Sequence, residues 1–234
     1  MQRQAQSSPS GAGAARGPSA RLERLYEELE HLFLREGFLH FRTEELARHL
    51  RCSKRALYQI APSREDLFEL VVERWLAKLR RAGAEAAAQA SDPLAEVTGY
   101  LGAAIVATRN AGPQFVRDLS RFPATYRRLM SHQRERIAGL ERLIERGTTR
   151  GNFRGVHAKL LAEVMLNAVA QIVDPELLAR VGLTMSQAFA ELYDIVEHGL
   201  LPRDEGAPRR TPAPPSRVAR RRRRSAERAL SARG

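Results

Sequence analysis

The spacing of apolar residues constrains the fold of this chain more than any other feature of its sequence. From Leu22 they recur three and four positions apart, the period of one buried helix face, and Gly37 stands where a left-handed residue would end the first helix near Glu36. Aromatic residues make up only 6% of the chain, and strand-favouring residues are too few for a large sheet. The 234 residues suffice for a hydrophobic core. The sequence therefore predicts an all-α fold.

Hydroxyl side chains that can cap helices divide the next stretch of the chain into short segments. Thr43 is expected to cap a helix that ends near Leu50, and Ser53 a helix over the sequence KRALYQI. Ser63 follows a proline and is expected to cap a longer helix that ends at about Arg81. A helix, a short turn and a second helix form the geometry of a helix-turn-helix.

The segment KRALYQI can bury only one of its faces, so the opposite face is left for a partner. Lys54, Arg55, Tyr58 and Gln59 cannot all face the core. In a helix-turn-helix the second helix fits the DNA major groove, and capped helix N-termini hold phosphates. The sequence therefore predicts that the partner of this free face is an operator in double-stranded DNA. The alternatives are an ordinary solvated charged face and a tyrosine that simply packs half-buried.

The whole segment FRTEELARHLRCSKRALYQIAPSREDLFELV resembles the N-terminal DNA-binding region of the TetR family of bacterial transcriptional regulators, over about residues 21–77. The family usually has glycine where Arg51 stands. The resemblance implies a three-helix helix-turn-helix domain, joined by a long helix to a C-terminal helical domain that binds a small molecule and dimerises. It also implies that the ligand releases the operator, so that the protein acts as a repressor.

By this resemblance, Thr43 touches a phosphate or a base, Tyr58 reaches a phosphate, and Arg64 holds the backbone at the fourth helix. The DNA-binding residues expected on these grounds are Thr43, Ser53, Lys54, Arg55, Ala56, Tyr58, Gln59 and Arg64.

Prolines and glycines divide the C-terminal half into five or six helices. The predicted ranges are about Pro93 to Ala111, Pro113 to Ser120, Pro123 to Gly147, His157 to Val173, and Thr184 to Leu200.

The last two of these helices are apolar around much of their circumference, which indicates burial on more than one side. We expect them to pair across a two-fold axis in a homodimer, and the alternative is that both belong to the intramolecular core. The expected interface residues are Leu161, Val164, Met165, Ala168, Phe189, Leu192 and Val196.

A pocket for a small-molecule effector would combine apolar walls with a few polar anchors. Each candidate is also compatible with plain core packing. The candidates are Tyr100, Arg109, Phe115, Phe122, Tyr126, Met130 and Asn167, with Phe153 as a further apolar wall.

The formal net charge of +12 lies mostly at the C-terminus, because residues 203–234 alone carry +8. This arginine-rich tail leaves open a second function, that of a structural protein that binds nucleic acid without sequence preference. Four regions are predicted: a disordered tail (1–20), the helix-turn-helix domain with its linking helix (21–82), the effector-binding and dimerisation domain (83–202), and a disordered Arg-rich tail (203–234).

Other functions find little support in the sequence. Cys52 is the only cysteine, so no internal disulfide is expected, and no apolar run suggests a signal peptide or a membrane span. The histidines lack metal-ligand spacing, and no phosphate loop or nucleophile elbow is present. We expect a cytoplasmic protein that is not an enzyme and uses neither a cofactor nor a metal.

Overall fold

The computed structural model describes residues 18–202, and these form ten α-helices and no strand. The all-α prediction is confirmed. Disordered tails were predicted for residues 1–20 and 203–234. Residues 1–17 and 203–234 lie outside the described residues, whereas residues 18–20 belong to the first helix, which begins at Pro18 instead of near Arg21. The helices are α1 (Pro18–Glu36), α2 (Thr43–His49), α3 (Lys54–Ile60), α4 (Arg64–Ala88), α5 (Pro93–Thr108), α6 (Pro113–Arg121), α7 (Pro123–Thr149), α8 (Ala158–Ile172), α9 (Pro175–Val181) and α10 (Met185–Leu200).

Local capping signals set the boundaries of the N-terminal helices. Gly37 ends α1 with a left-handed backbone (φ +78°), as predicted. The side-chain oxygens of Ser53 and Ser63 accept hydrogen bonds from backbone N–H groups at the starts of α3 and α4. The prediction that Thr43 caps α2 is wrong. Arg42 occupies that position, and its N–H donates to the Glu45 carboxylate at 2.6 Å.

Helix α4 connects the N-terminal helices to the C-terminal bundle. It continues to Ala88 instead of ending near Arg81, because alanines fill its last turns and alanine is the best helix former. Gly83 does not break it, since this glycine is buried beside Arg136 and a β-carbon there would lie 2.9 Å from the guanidinium. The predicted domain limit at residue 82 therefore falls inside a continuous helix.

The C-terminal helices follow the predicted order, with a short extra helix, α9, between the last two predicted ones. Helix α5 packs against α4, α7 and α10, while α8 packs against α7 and α10. Helix α6 packs against α1, and the N–H of Gly112 donates to the Leu34 carbonyl at 2.8 Å. The first three helices and the C-terminal bundle thus share a continuous core, which runs to Leu200.

A buried carboxylate fastens the turn after α1 to α6. Asp118 is fully buried and accepts hydrogen bonds from the N–H groups of Phe38 at 2.5 Å and Leu39 at 3.1 Å, and from the Gln114 amide. These bonds satisfy the buried N–H of Phe38 and the part-buried N–H of Leu39, which would otherwise lack partners. The position of the N-terminal helices is therefore tied directly to the C-terminal bundle.

Candidate nucleic-acid interface

The turn between α2 and α3 holds the two short helices in a fixed relation. Leu46, Ala47 and Leu57 are buried between them, and the N–H of Cys52 donates to the Ala47 carbonyl at 2.9 Å. Arg51 carries the turn with a left-handed backbone, at φ 47°. Glycine adopts this conformation without steric cost, which explains why a glycine is usual here in the resembled family.

The outer face of α3 is free of contacts with the core. Lys54, Arg55 and Gln59 are exposed, and 53% of Tyr58 is accessible to solvent. Leu57 alone is fully buried on the opposite side. The helix therefore presents four polar side chains on one surface, the arrangement that a major groove accepts.

An acidic side chain from α2 reaches this surface. The Lys54 ammonium donates a hydrogen bond to the Glu44 carboxylate, and both side chains are about half exposed. This hydrogen bond is the main reason why the pKa of Glu44 lies below its ordinary value. The first turns of α2 and α3 thus lie side by side, and half-buried Thr43 starts the same turn of α2.

The guanidinium of Arg64 is largely engaged within the protein. It donates to the Phe41 carbonyl at 2.6 Å, pairs with Glu65 at 3.2 Å, and lies 4.9 Å from the centre of the Phe38 ring. These contacts fix the α1–α2 turn against the start of α4. Its predicted contact with DNA stays a prediction.

The residues predicted for a dimer interface divide into two groups. Met165, Phe189 and Val196 are buried in the core of the single chain, which favours the intramolecular alternative for these three. The others lie nearer the surface: Leu161, Ala168 and Leu192 are half-buried and Val164 is 56% exposed.

Two further apolar side chains are open to solvent on the same pair of helices. Leu160 on α8 is 63% exposed and Ile195 on α10 is 68% exposed. Ile195 was not among the predicted interface residues, although it lies three positions after Leu192 and seven after Ala188, on neighbouring positions of the helix surface. Only the packing of α10 against α5 and α8 shows which of its sides is free.

The residues predicted to line a ligand pocket do not gather around one cavity. Phe115 packs edge-on against Trp75, with ring centres 5.4 Å apart, and half-buried Phe122 contacts Phe38 and Phe68. The remaining candidates are dispersed: Phe153 is buried, Tyr100 and Met130 are half-buried, while Arg109, Tyr126 and Asn167 are exposed.

The structure instead opens several separate grooves. One of about 330 Å³ lies between α6 and the α9–α10 segment, and has apolar walls that include Val116, Leu178 and Met185. A wider one of about 630 Å³ lies between α1, α4 and α5. A third, of about 300 Å³, lies between α4 and α7 and contains Tyr100. Its charged side chains, Arg136 among them, were not selected from the sequence, because only tertiary packing brings them together.

Residues 18–202 contain no cluster of histidine, cysteine, aspartate and glutamate side chains placed to hold a metal ion. In the same residues, no helix combines the length and apolarity that a membrane span requires.

Neither a family model nor a curated protein sequence matches this chain. Solved structures do match, and those described below are transcriptional regulators. A transcriptional regulator from Saccharomonospora viridis, solved in complex with choline, is 17% identical, with a TM-score of 0.62 over 80% of this chain and 100% of that one.

Two further similar structures carry a family name. A TetR-family regulator from Agrobacterium tumefaciens is 18% identical, with a TM-score of 0.62 over 80% of this chain and 100% of that one. The TetR-family regulator PfmR from Thermus thermophilus is 23% identical, with a TM-score of 0.55 over 76% of this chain and 100% of that one. The chain thus has the fold of the TetR-family transcriptional regulators.

Proposed function

We propose that this protein is a TetR-family transcriptional regulator that reads an operator in double-stranded DNA through α3. The observation that carries the proposal is the exposed polar face of α3, which follows a fixed turn and a serine cap within this fold. Lys54 and Arg55 stand in the first turn of that helix, where a recognition helix contacts base edges. The proposed location is the cytoplasm, where such DNA lies.

The dimer that this mode of binding requires is best supported by the free side of α8 and α10. Leu160 and Val164 on α8 and Ile195 on α10 expose apolar surface, and Leu161 and Leu192 on the same two helices are half-buried. Two copies related by a two-fold axis would cover these side chains with each other in a four-helix interface. The two α3 helices would then lie about 34 Å apart, one turn of DNA.

Dimerisation is tested by sedimentation of matched valine variants at micromolar concentration. Val164→Glu places a charge in the proposed interface and is expected to give a monomer, because a buried unpaired charge is strongly unfavourable. Val106→Glu is the control, since Val106 is 63% exposed on α5 and should leave the dimer intact. A wild-type monomer, or a Val164→Glu dimer of unchanged affinity, would contradict the interface.

We further propose that the protein is a repressor, released from its operator when a small molecule binds the C-terminal half. The support is that two structural connections join the C-terminal half to the helix-turn-helix. Helix α4 runs unbroken from the Ser63 cap beside α3 to Ala88, and α6 is bonded to the α1–α2 turn through Asp118. A ligand that shifts the C-terminal ends of these helices would change the spacing of the two α3 helices. The S. viridis regulator was solved with choline, so this fold admits a small molecule.

The DNA-binding proposal is tested by footprinting on the DNA that flanks the protein's own gene. Wild-type protein is expected to protect a two-fold symmetric site there. Lys54→Ala and Arg55→Ala should each weaken binding by about 1–3 kcal/mol if the side chain reads a guanine, without loss of folding because both are exposed. Arg150→Ala, at the end of α7, is the matched control. Unchanged affinity in both α3 variants would contradict the assignment.

A further inference from the structure

The guanidinium of Arg136 on α7 is buried without a counterion. Only 4% of this residue is exposed, yet within residues 18–202 no carboxylate lies within 4 Å of it. Its Nη2 donates to the Tyr100 carbonyl at 2.9 Å, and the cation lies 4.8 Å from the centre of the Tyr100 ring. Its Nη1 is buried and has no hydrogen-bond partner. A buried charge in this state is costly unless an anion pairs with it.

Arg136 lines the groove of about 300 Å³ between α4 and α7, which we call the α4–α7 groove. Further arginines line it, and two of them are already paired within the chain: Arg80 with Glu73 at 3.0 Å, and Arg146 with Glu96 at 2.8 Å. The described structure gives Arg142 no such partner. The residues that line the groove are Arg80, Ala84, Ala87, Tyr100, Glu135, Arg136, Gly139, Arg142, Leu143 and Arg146.

The titratable side chains packed around Arg136 cannot neutralise its charge. His132, one turn earlier on α7, is 1% exposed, and its Nδ1 lies 3.2 Å from Nη1 of Arg80. Burial, then the charges of Arg136 and Arg80, lower the pKa of His132 to about 3, so its ring is neutral. Burial also raises the pKa of Tyr193 to about 12, so this phenol keeps its proton. Glu135 is the single acidic residue among those that line the groove, and no ion pair joins it to Arg136 in residues 18–202.

We propose that the α4–α7 groove binds a small organic anion, whose negatively charged head group pairs with the Arg136 guanidinium. Arginine matches carboxylate and phosphate oxygens in a two-point geometry, and Arg142 adds a second cation at the groove. Ala84, Ala87 and Leu143 offer apolar surface for the rest of the molecule. A volume of about 300 Å³ lies at the small end of ligand pockets.

The inference rests on the proposed function, because it names the chemical class of the effector. Arg80, Ala84 and Ala87 belong to α4, the helix that starts beside α3. An anion held between α4 and α7 therefore contacts α4, the helix that directly follows the helix-turn-helix. Its binding is coupled to DNA affinity if the groove differs between the free and the DNA-bound dimer.

The test measures binding to the full-length protein without DNA, by calorimetry at pH 7. The probes are octanoate and octyl phosphate, with octanol as a neutral molecule of the same chain length. We expect at least one anion to bind saturably, once per protomer and at least tenfold more tightly than octanol. Whichever of octanoate and octyl phosphate binds more tightly shows whether the site prefers a carboxylate or a phosphate. Binding by neither anion, or equally tight binding of octanol, overturns the proposal.

Variants distinguish a binding site from a structural residue. Arg136→Met should weaken anion binding at least tenfold while the unliganded protein unfolds at no lower temperature, because the variant removes an unpaired buried charge. Arg134→Met, exposed on the same helix, is the matched control and should bind as wild type does. If Arg136→Met does not fold, the exposed Arg142→Gln should still weaken binding severalfold. Wild-type affinity in the folded Arg136 variant, or in Arg142→Gln, overturns the proposal.

Because the binding step is measured without DNA, failure of the DNA-binding proposal would not alter its result. The effector role is read separately, by titrating the better anion into a protein–operator complex. Loss of operator affinity at saturating anion supports that role. Saturable anion binding that leaves operator affinity unchanged overturns the effector role.

Discussion

The neutral, buried imidazole of His132 makes the stability of this protein sensitive to mild acid. The ring lies in the C-terminal bundle beside Arg80 and Arg136, and its Nε2 is buried without a hydrogen-bond partner. Burial lowers the pKa of His132 from its ordinary value of 6.5 to about 3 in the folded protein. Between pH 6.5 and about pH 3, the unfolded chain binds a proton at His132 that the folded chain does not bind. Above pH 6.5 the titration of His132 therefore takes nothing from the free energy of unfolding. Below pH 6.5 that free energy falls as the pH falls.

The size of the effect follows from the pKa difference. Each pH unit below 6.5 costs about 1.4 kcal/mol per protomer until the pKa of the folded protein is reached. Between pH 7 and pH 5 the expected loss in the free energy of unfolding is about 2 kcal/mol. This loss is a large fraction of the total for a typical domain.

Urea unfolding at pH 7 and pH 5, at one fixed protein concentration, measures this difference. Other groups also titrate, so the comparison is between wild type and His132→Gln, whose loss between the two pH values should be smaller by about 2 kcal/mol. His31→Gln, exposed on α1, is the control and should behave as wild type does. An equal loss in wild type and His132→Gln would refute the reasoning, whatever the variant's stability at pH 7.

Further predictions concern the helix-turn-helix and its attachment. Glu44→Gln should raise affinity for random DNA severalfold at low salt, since it frees Lys54 and removes a negative charge; a fluorescence anisotropy titration with unchanged affinity would contradict this. Asp118→Ala should cost about 2–4 kcal/mol in urea unfolding, because it leaves the buried N–H of Phe38 and the part-buried N–H of Leu39 without a partner, and a cost near zero would argue against that role. Arg51→Gly should stabilise by about 0.5 kcal/mol, the relief of its left-handed backbone less the entropy of glycine, and a lower urea midpoint would speak against it.

Local signals in the sequence were sufficient for several boundaries of the N-terminal helices, though not for the cap of α2. The limits of α3, the stop at Gly37 and the caps at Ser53 and Ser63 depend only on residues a few positions apart, so they are legible in the sequence. The end of α4 was misjudged: the helix continues past Arg81 through an alanine-rich segment and through Gly83, which lies against Arg136 of α7.

Tertiary packing decided what the sequence left open. An apolar stripe shows that a helix face is buried but not what covers it, and Met165 and Phe189 are covered by the same chain. The groove around Arg136 joins residues from three helices that are far apart in sequence. The spacing of residues along the sequence does not reveal such a cluster. The exposed face of α3, in contrast, follows from the helical spacing of residues within one short segment.

The ratio of operator affinity to random-DNA affinity tests the central claim most directly, measured for three proteins at one salt concentration. We predict that wild type prefers its operator by at least about 1000-fold, as specific DNA-binding proteins do. The double variant Lys54→Ala with Arg55→Ala should lose most of that preference, whereas a chain without residues 203–234 should keep it and show a weaker salt dependence. If the double variant keeps the wild-type ratio while the truncated chain loses DNA binding altogether, α3 is not the reading element. The arginine-rich tail, without sequence preference, would then be what binds DNA.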